Sequence, residues 1–155
     1  DLAYTLEKQL FDMGASVVLL DGSTVRSGLS RELDYSPADR AEHLRRVAHI
    51  ARMLNDQGII AICSFISPNE NIRQQVKEII GPGRFILVYM DEDIGYCRTN
   101  KPELYEEAEK GRMSNIPGVD IDYEAPGKPD YVLNHRNTGD EILNIINTIH
   151  PPLSD

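Results

Sequence analysis

Three aliphatic runs of this sequence end in polar residues of the types that bind hydroxyls and anions. Residues 17–20 lead into Asp21-Gly22, with Arg26 five positions after the aspartate, and two later runs end at Ser67-Pro68 and at Asp91. If the runs are neighbouring parallel strands, their carboxyl ends meet at one edge of the sheet. A carboxylate there can orient a sugar hydroxyl, accept its proton or hold a magnesium-bound water. A nearby guanidinium can bind the anion that such a reaction needs.

Both polar sequences also have simpler interpretations. Asp21-Gly22 is a common turn sequence, and Ser67-Pro68 can cap a following helix. The sequence alone leaves these alternatives open.

A long helix should follow the first polar sequence. Ser36 can cap it, Pro37 suits its first position, and Gly58 can end it. Its apolar stripe extends backwards at helical spacing to His43 and Arg40. Either Arg40 extends to solvent at the helix end, or both side chains point into a cleft.

The strand pattern predicts an α/β fold. The runs at 17–20, 59–63 and 85–90 do not alternate between apolar and polar residues, which is typical of a parallel sheet covered on both faces. A short strand at 131–133 and a helix from about 140 to 149 complete a β-α-β-α order. We expect one domain over residues 1–155.

The first helix should begin at the start of the sequence, because Leu2, Leu6, Leu10 and Met13 recur at helical spacing. In doubly wound folds a central strand and its phosphate loop precede such a helix. We therefore expect the first strand and the phosphate loop to be missing from this sequence, so that the domain is incomplete at its amino end.

Composition restricts the class of partner. A net charge of −9 and a pI near 4.9 argue against nucleic acid or an anionic membrane surface as the main ligand. Cys63 and Cys97 are expected to be reduced core thiols of a cytoplasmic protein. The histidines at 49, 135 and 150 have no metal-ligand spacing, so no metal site is predicted within the chain.

Four motifs in order resemble those of the adenylylsulfate kinases, which are P-loop kinases. They are LLDGSTVRSGL, LDYSPADRAEHLRRV, FISP and GVDIDYEAP. The resemblance implies a P-loop kinase-like three-layer sandwich with a mostly parallel sheet. It also implies transfer of phosphate from ATP, with Mg²⁺, to the 3′-hydroxyl of adenosine 5′-phosphosulfate in sulfate activation.

The resemblance also implies roles for individual residues. Asp21 matches the carboxylate beside the attacking hydroxyl, and Ser67 matches a serine described in the family as a phosphorylated intermediate. Arg26 and Arg40 would clamp the phosphosulfate, and Tyr35 would pack on the adenine.

The other implied substrate-binding residues line the nucleotide pocket. His43 stands where the family has an asparagine at the adenine edge, and Ile116 replaces a stacking phenylalanine of the lid. Phe65 and Ile66 would complete this wall of the pocket.

Further departures from the family fall near the substrate. Ser23 and Thr24 replace Asp-Asn, Ser114 replaces a lysine, and Glu106 and Glu107 replace two lysines. Carboxylates at the last two positions would repel an anion, although the simplest interpretation of Glu106, Glu107 and Glu109 is a solvated helical face.

These departures keep other functions open. One is a degenerate, non-catalytic domain that binds nucleotide or stabilises an oligomer, and another is a kinase for a different nucleotide-like alcohol. The partners implied by the family are a fused or associated ATP sulfurylase and further copies of the chain in a homo-oligomer.

Overall fold

A computed structural model describes residues 2–149 and shows an α/β chain in which helices and short strands alternate. The last predicted strand, at 131–133, and the final helix are both present. In chain order the elements are α1 Leu2–Asp12, β1 Val17–Asp21, α2 Gly22–Ser27, α3 Pro37–Asp56, β2 Ile60–Ser64, α4 Glu70–Ile80, β3 Val88–Met90, α5 Ile94–Asn100, α6 Pro102–Glu109, β4 Tyr131–Leu133 and α7 Thr138–Ile149. No helix in this range is long and apolar enough to cross a lipid bilayer.

The strands form two parallel pairs. β1 pairs with β2 in a register that sets Asp21 opposite Ser64, and β3 pairs with β4 with Met90 opposite Leu133. The described residues provide no hydrogen-bonded strand between the two pairs. All-parallel pairing agrees with the absence of alternation in the sequence.

The third strand is shorter than predicted. Residues 85–87 lie outside β3, and Leu87 instead donates its N–H to an Asp130 carboxylate oxygen at 2.7 Å and accepts from the N–H of Asp130 at 2.9 Å. The Leu87 N–H thus binds a side-chain oxygen in place of a backbone carbonyl of a neighbouring strand. This explains why β3 begins only at Val88, although the apolar run is six residues long.

One face of the strands carries the main core. Leu6 and Leu10 of α1 and the isoleucines of α7 pack on Leu133, with Ile60 and Ile62 of β2 and Val88 of β3 against the same cluster. Both strand pairs therefore bury side chains in a single core. Met13, predicted to share the α1 stripe, lies beyond the helix and is exposed, because the chain turns at Gly14 with a φ of 86°.

The opposite face is covered by α3, which contacts β2 and packs along α4. Side chains alternate along a strand, so Ala61 and Cys63 point away from the α1–α7 core. The prediction that Cys63 is a core thiol is wrong, because this residue is exposed. Cys97 is half-buried on α5.

The start of α3 follows the sequence prediction. The Ser36 hydroxyl accepts the N–H of Asp39 at 3.2 Å, and Pro37 occupies the first turn. Leu44, Val47 and Ala51 are buried along the predicted stripe. The helix runs from the carboxyl edge of the sheet, where Arg40 lies, to the amino edge, where β2 begins.

Candidate functional site

Asp21 lies at the carboxyl end of β1 and begins α2. Its Oδ1 accepts the N–H groups of Ser23 and Thr24, both at 3.0 Å, and its Oδ2 accepts the Thr24 hydroxyl at 2.5 Å. The Thr24 hydroxyl, followed by the Thr24 N–H, lowers the pKa of Asp21 below its usual value. Asp21 is therefore a helix cap as well as an ionised carboxylate at a strand end. Asp21-Gly22 therefore joins β1 directly to α2 instead of forming a separate turn, and the Asp21 side chain is partly exposed.

Two arginines converge on the Tyr35 ring. The Arg26 guanidinium lies 4.3 Å from the ring centroid and that of Arg40 lies 5.8 Å away. Arg26 is oriented by donating to the carbonyls of Leu33 and Asp34, at 3.2 and 3.0 Å. Burial and, second, the charge of Arg26 lower the pKa of Arg40. Gathering two cations in this way is unfavourable without an anion, so the pair constitutes a candidate anion site.

Arg40 and His43 both lie inside the fold rather than in solvent. Arg40 is 6% exposed and His43 is 2% exposed, so the solvent-facing alternative for Arg40 is wrong. Arg40 donates from Nη2 to the Asn115 carbonyl at 2.8 Å. Its Nε and both ring nitrogens of His43 lack a hydrogen-bond partner among the described residues. Buried polar atoms of this kind are usually satisfied, so they are available to a ligand.

His43 is held as a neutral imidazole. Burial, followed by the charges of Arg26, Arg40 and Arg46, lowers its pKa to about 4. The ring makes an edge contact with Phe65, at 5.3 Å between centroids. Phe65 in turn lies against Gly22, where a Cβ atom would be 3.7 Å from the phenyl ring. His43, Phe65 and the Asp21-Gly22 strand end therefore form one continuous wall.

The loop after β2 carries the remaining predicted residues. Ile66 is exposed and Ser67 is half-buried, with its carbonyl accepting from Arg73 Nη1 at 2.5 Å. The alternative that Ser67-Pro68 caps the next helix is wrong, because Asn69 is the cap of α4 and accepts the Ile72 N–H at 3.2 Å. Asp91, at the third strand end, accepts from the Tyr89 hydroxyl at 3.3 Å.

A cleft of about 180 Å³ opens beside Tyr35 and Arg40. This volume is below the roughly 300–1,000 Å³ of sites that enclose a drug-sized ligand, so the cleft alone is too small to enclose one. Ile116 is half-buried and lies next to Asn115, the partner of Arg40, but it does not line this cleft. The residues lining the cleft are Tyr35, Pro37, Arg40, Pro68, Asn69, Ile72, Ile121, Asp122 and Glu124.

The sequence predicted no role for the lining residues Asn69, Ile72, Ile121, Asp122 and Glu124. The motif GVDIDYEAP contains three of them, but the resemblance implied no role for these individual residues. Arg73, which joins the two walls, carries no sequence signal beyond its i,i+3 spacing from Glu70.

A second cavity, of about 310 Å³, lies at the amino edge of the sheet between the carboxyl ends of α3 and α4. Both arginines of this cavity bind groups of the protein itself. Arg84 binds Asp56 at 2.5 Å, and Arg52 donates to the Ile79 carbonyl at 3.3 Å. It is distant along α3 from Arg40, so it does not belong to the candidate site.

The predicted acidic helix is paired with local cations. Glu107 binds Arg112 at 3.2 Å, and Lys110 lies 3.4 Å from Glu106 and 3.6 Å from Glu107. Glu106 is largely exposed, which fits a solvated helical face. Among residues 2–149 no group of three His, Cys, Asp or Glu side chains is arranged to hold a metal ion.

Comparisons with known proteins identify relatives over most of the chain. The family model described as adenylylsulphate kinase matches residues 1–134. An adenylyl-sulfate kinase of Yersinia pestis is 42% identical over 130 residues, which is 83% of this chain and 61% of that protein. A bifunctional enzyme CysN/CysC of Rhodopirellula baltica is 40% identical over 138 residues, 88% of this chain and 21% of that protein. The chain thus spans less than two thirds of both curated relatives.

A solved structure has the same fold. The Mycobacterium tuberculosis APS kinase CysC, in complex with AMPPNP and APS, superposes with a TM-score of 0.87 at 32% identity, covering 94% of this chain and 87% of that one. The predicted P-loop kinase-like α/β fold is therefore confirmed.

Proposed function

This chain belongs to the adenylylsulfate kinase family, and we propose that it transfers the γ-phosphoryl group of ATP to the 3′-hydroxyl of adenosine 5′-phosphosulfate. The observation that carries the proposal is the convergence of Arg26 and Arg40 on the Tyr35 ring, with Asp21 capping the helix that carries Arg26. An ionised carboxylate, a flat aromatic ring and two guanidinium groups match a sugar hydroxyl, an adenine and a phosphosulfate.

Arg26 and Arg40 would bind the phosphosulfate by charge-assisted hydrogen bonds. Tyr35 would pack on the adenine face, and the free ring nitrogens of His43 would meet its polar edge. Phe65, Ile66 and Ile116 would exclude water from the apolar parts of the nucleotide.

Asp21 would orient the attacking hydroxyl. Because its hydrogen bonds keep its pKa low, the carboxylate stays ionised at neutral pH and accepts the hydroxyl hydrogen in a hydrogen bond. The 3′-oxygen forms a bond to the γ-phosphorus as the bond to the β,γ-bridging oxygen breaks. ADP leaves with the electron pair, and the hydroxyl proton passes to Asp21 or to water. Positioning and charge neutralisation supply most of the catalysis, so a phosphorylated Ser67 is not required.

Mg²⁺ would neutralise charge on the transferred phosphate. Asp21 is a suitable ligand for this ion, since Mg²⁺ is usually bound through one or two carboxylates together with phosphates and water. The chain has no GxxxxGK[ST] sequence, so we assign no residue of residues 2–149 to the β- and γ-phosphates of ATP.

The name of the Rhodopirellula baltica relative supports a further part of the proposal, that this domain acts beside a second enzymatic unit. We propose ATP sulfurylase as that unit, since it makes the substrate. Association of several copies and a cytoplasmic location remain parts of the same proposal.

The test uses the full-length protein with γ-labelled ATP, Mg²⁺ and adenosine 5′-phosphosulfate. We expect a labelled 3′-phosphorylated product, and no label on an analogue that lacks the 3′-hydroxyl. Label on the analogue would contradict the assigned acceptor. Nucleotide binding without transfer would favour the non-catalytic alternative.

A further inference from the structure

Arg73 is a buried cation on α4, and each of its three guanidinium nitrogens donates a hydrogen bond. It is 3% exposed. Its Nε and Nη2 donate to Glu70 Oε2 at 3.0 and 2.5 Å. Nη1 donates to the Ser67 carbonyl and Nη2 to the Glu124 carbonyl, both at 2.5 Å. A buried charge is costly unless it is paired and hydrogen-bonded. These bonds satisfy that condition, and their geometry requires the planar guanidinium group of arginine.

The two carbonyls belong to segments that are more than 50 residues apart in sequence. The same segments are joined by three further hydrogen bonds. Glu124 donates its N–H to the Pro68 carbonyl at 2.8 Å, and its carboxylate accepts from Asn69 Nδ2 at 2.9 Å and from the Glu70 N–H at 2.7 Å. Arg73 lies at the centre of this junction.

Arg73 also contacts an aromatic pair that leads to the second strand pair. Its guanidinium is 5.8 Å from the Tyr123 ring centroid, and Tyr123 stacks on Tyr89 of β3 at 6.1 Å. Arg73 therefore connects the loop after β2 to residues 123–124 and, through Tyr123, to β3.

Both joined segments line the candidate cleft. Pro68 and Asn69 come from one, and Ile121, Asp122 and Glu124 from the other. We infer that Arg73 is a positioning residue, which fixes these two walls at the separation that the substrate requires without touching the substrate. The identity of that substrate rests on the proposed function, whereas the junction itself does not.

Replacing Arg73 with lysine tests this inference. Lysine keeps the charge but cannot donate to two carbonyls and a carboxylate at once. The two cleft-lining segments, after β2 and at 121–124, should therefore separate more readily. In the full-length protein we expect KM for adenosine 5′-phosphosulfate to rise about tenfold, the effect of one lost charge-assisted bond. The kcat should stay within about twofold, because Arg73 does not line the cleft and each of its guanidinium nitrogens already donates to a protein oxygen.

Hydrogen exchange provides a readout that does not depend on activity. Without ligand, Arg73→Lys should speed amide exchange in peptides that cover residues 65–70 and 120–126. Arg52→Lys is the matched control, because Arg52 on α3 donates to the Ile79 carbonyl of α4 far from the cleft. It should change neither KM nor exchange in these peptides.

Unchanged exchange in both peptides would overturn the inference, and so would an unchanged KM in an active protein. If the wild-type protein shows no turnover, the proposed function fails and the exchange data still decide the role of Arg73. Should Arg73→Lys not fold, Glu70→Gln replaces it, since Glu70 is partly exposed. Glu70→Gln should raise KM and speed amide exchange in the same peptides, but by smaller factors. Unchanged exchange in this variant would again overturn the inference.

Discussion

The Arg40 guanidinium donates to the Asn115 carbonyl across 75 residues of sequence, at 2.8 Å. Asn115 has a positive φ of 61°, and its N–H donates to the Asp120 carboxylate at 2.6 Å. Asp120 also accepts the Ile116 N–H at 2.5 Å. The turn at 115–120 thus presents a carbonyl to a cation of the candidate anion site, so the Arg40 side chain belongs to the site and also holds this turn.

Arg40→Lys should weaken the binding of adenosine 5′-phosphosulfate. Lysine offers a point charge in place of a fork and cannot serve the Asn115 carbonyl and an anion together. A hydrogen bond to a charged group contributes about 1.5–3 kcal/mol, so KM should rise by about one to two orders of magnitude. Steady-state kinetics measure this, with Arg45→Lys as the control, since Arg45 is exposed and pairs with Glu42. Equal effects of the two variants would exclude a binding role for Arg40.

His43 should make the stability of the protein depend on pH. Its pKa is about 4 in the fold against 6.5 ordinarily, so between these values the unfolded chain binds a proton that the native chain does not. The free energy of unfolding should therefore fall as pH drops through 6.5, by about 1 kcal/mol between pH 7 and pH 5.5.

Urea unfolding at the two pH values measures this dependence. His43→Asn should remove it, whereas His49→Asn, at an exposed position of α3, should leave it in place. If His43→Asn retains the full pH dependence, the neutral buried imidazole is not its source.

Replacing Glu106 and Glu107 with lysine should strengthen adenosine 5′-phosphosulfate binding if α6 faces the anion. Charge changes at such exposed positions contribute about 0.5–1 kcal/mol, so the affinity should rise about two- to fivefold at low salt and less at high salt. The ion pairs with Lys110 and Arg112 would be lost, and this limits the gain. Titration calorimetry at two salt concentrations measures the effect.

The matched control for α6 is Glu7→Lys with Glu141→Lys, which changes charge equally on α1 and α7. A gain in both double variants would indicate a general charge effect. No gain in either would leave the acidic helix as a solvated face.

Much of the fold follows from local signals. Ser36 and Pro37 fixed the start of α3 because a cap and a first-turn proline act within four residues, and the apolar runs gave the parallel strands. The exposed Cys63 and the short β3 were not predictable, because exposure and pairing depend on which strand lies alongside. The local sequence pattern does not indicate which strand is the neighbour.

The site was predicted only in part. Arg26, Tyr35 and Arg40 lie near one another in the chain, and α2, α3 and the loop between them bring both arginines to the Tyr35 ring. Arg73 and Glu124 meet through a contact across 51 residues, and such a contact leaves no periodicity in the sequence. The roles of the predicted site residues remain predictions.

The most direct test of the account is the turnover of Asp21→Asn in the full-length protein, measured beside its affinity for adenosine 5′-phosphosulfate. Asparagine keeps the size and one carbonyl oxygen for the α2 cap but loses the charge that orients the 3′-hydroxyl. We expect kcat to fall by about two to four orders of magnitude while the affinity changes by no more than a few fold. Asp56→Asn, at the far end of α3, is the control. Wild-type turnover in Asp21→Asn would contradict the central claim that Asp21 lies beside the reacting hydroxyl.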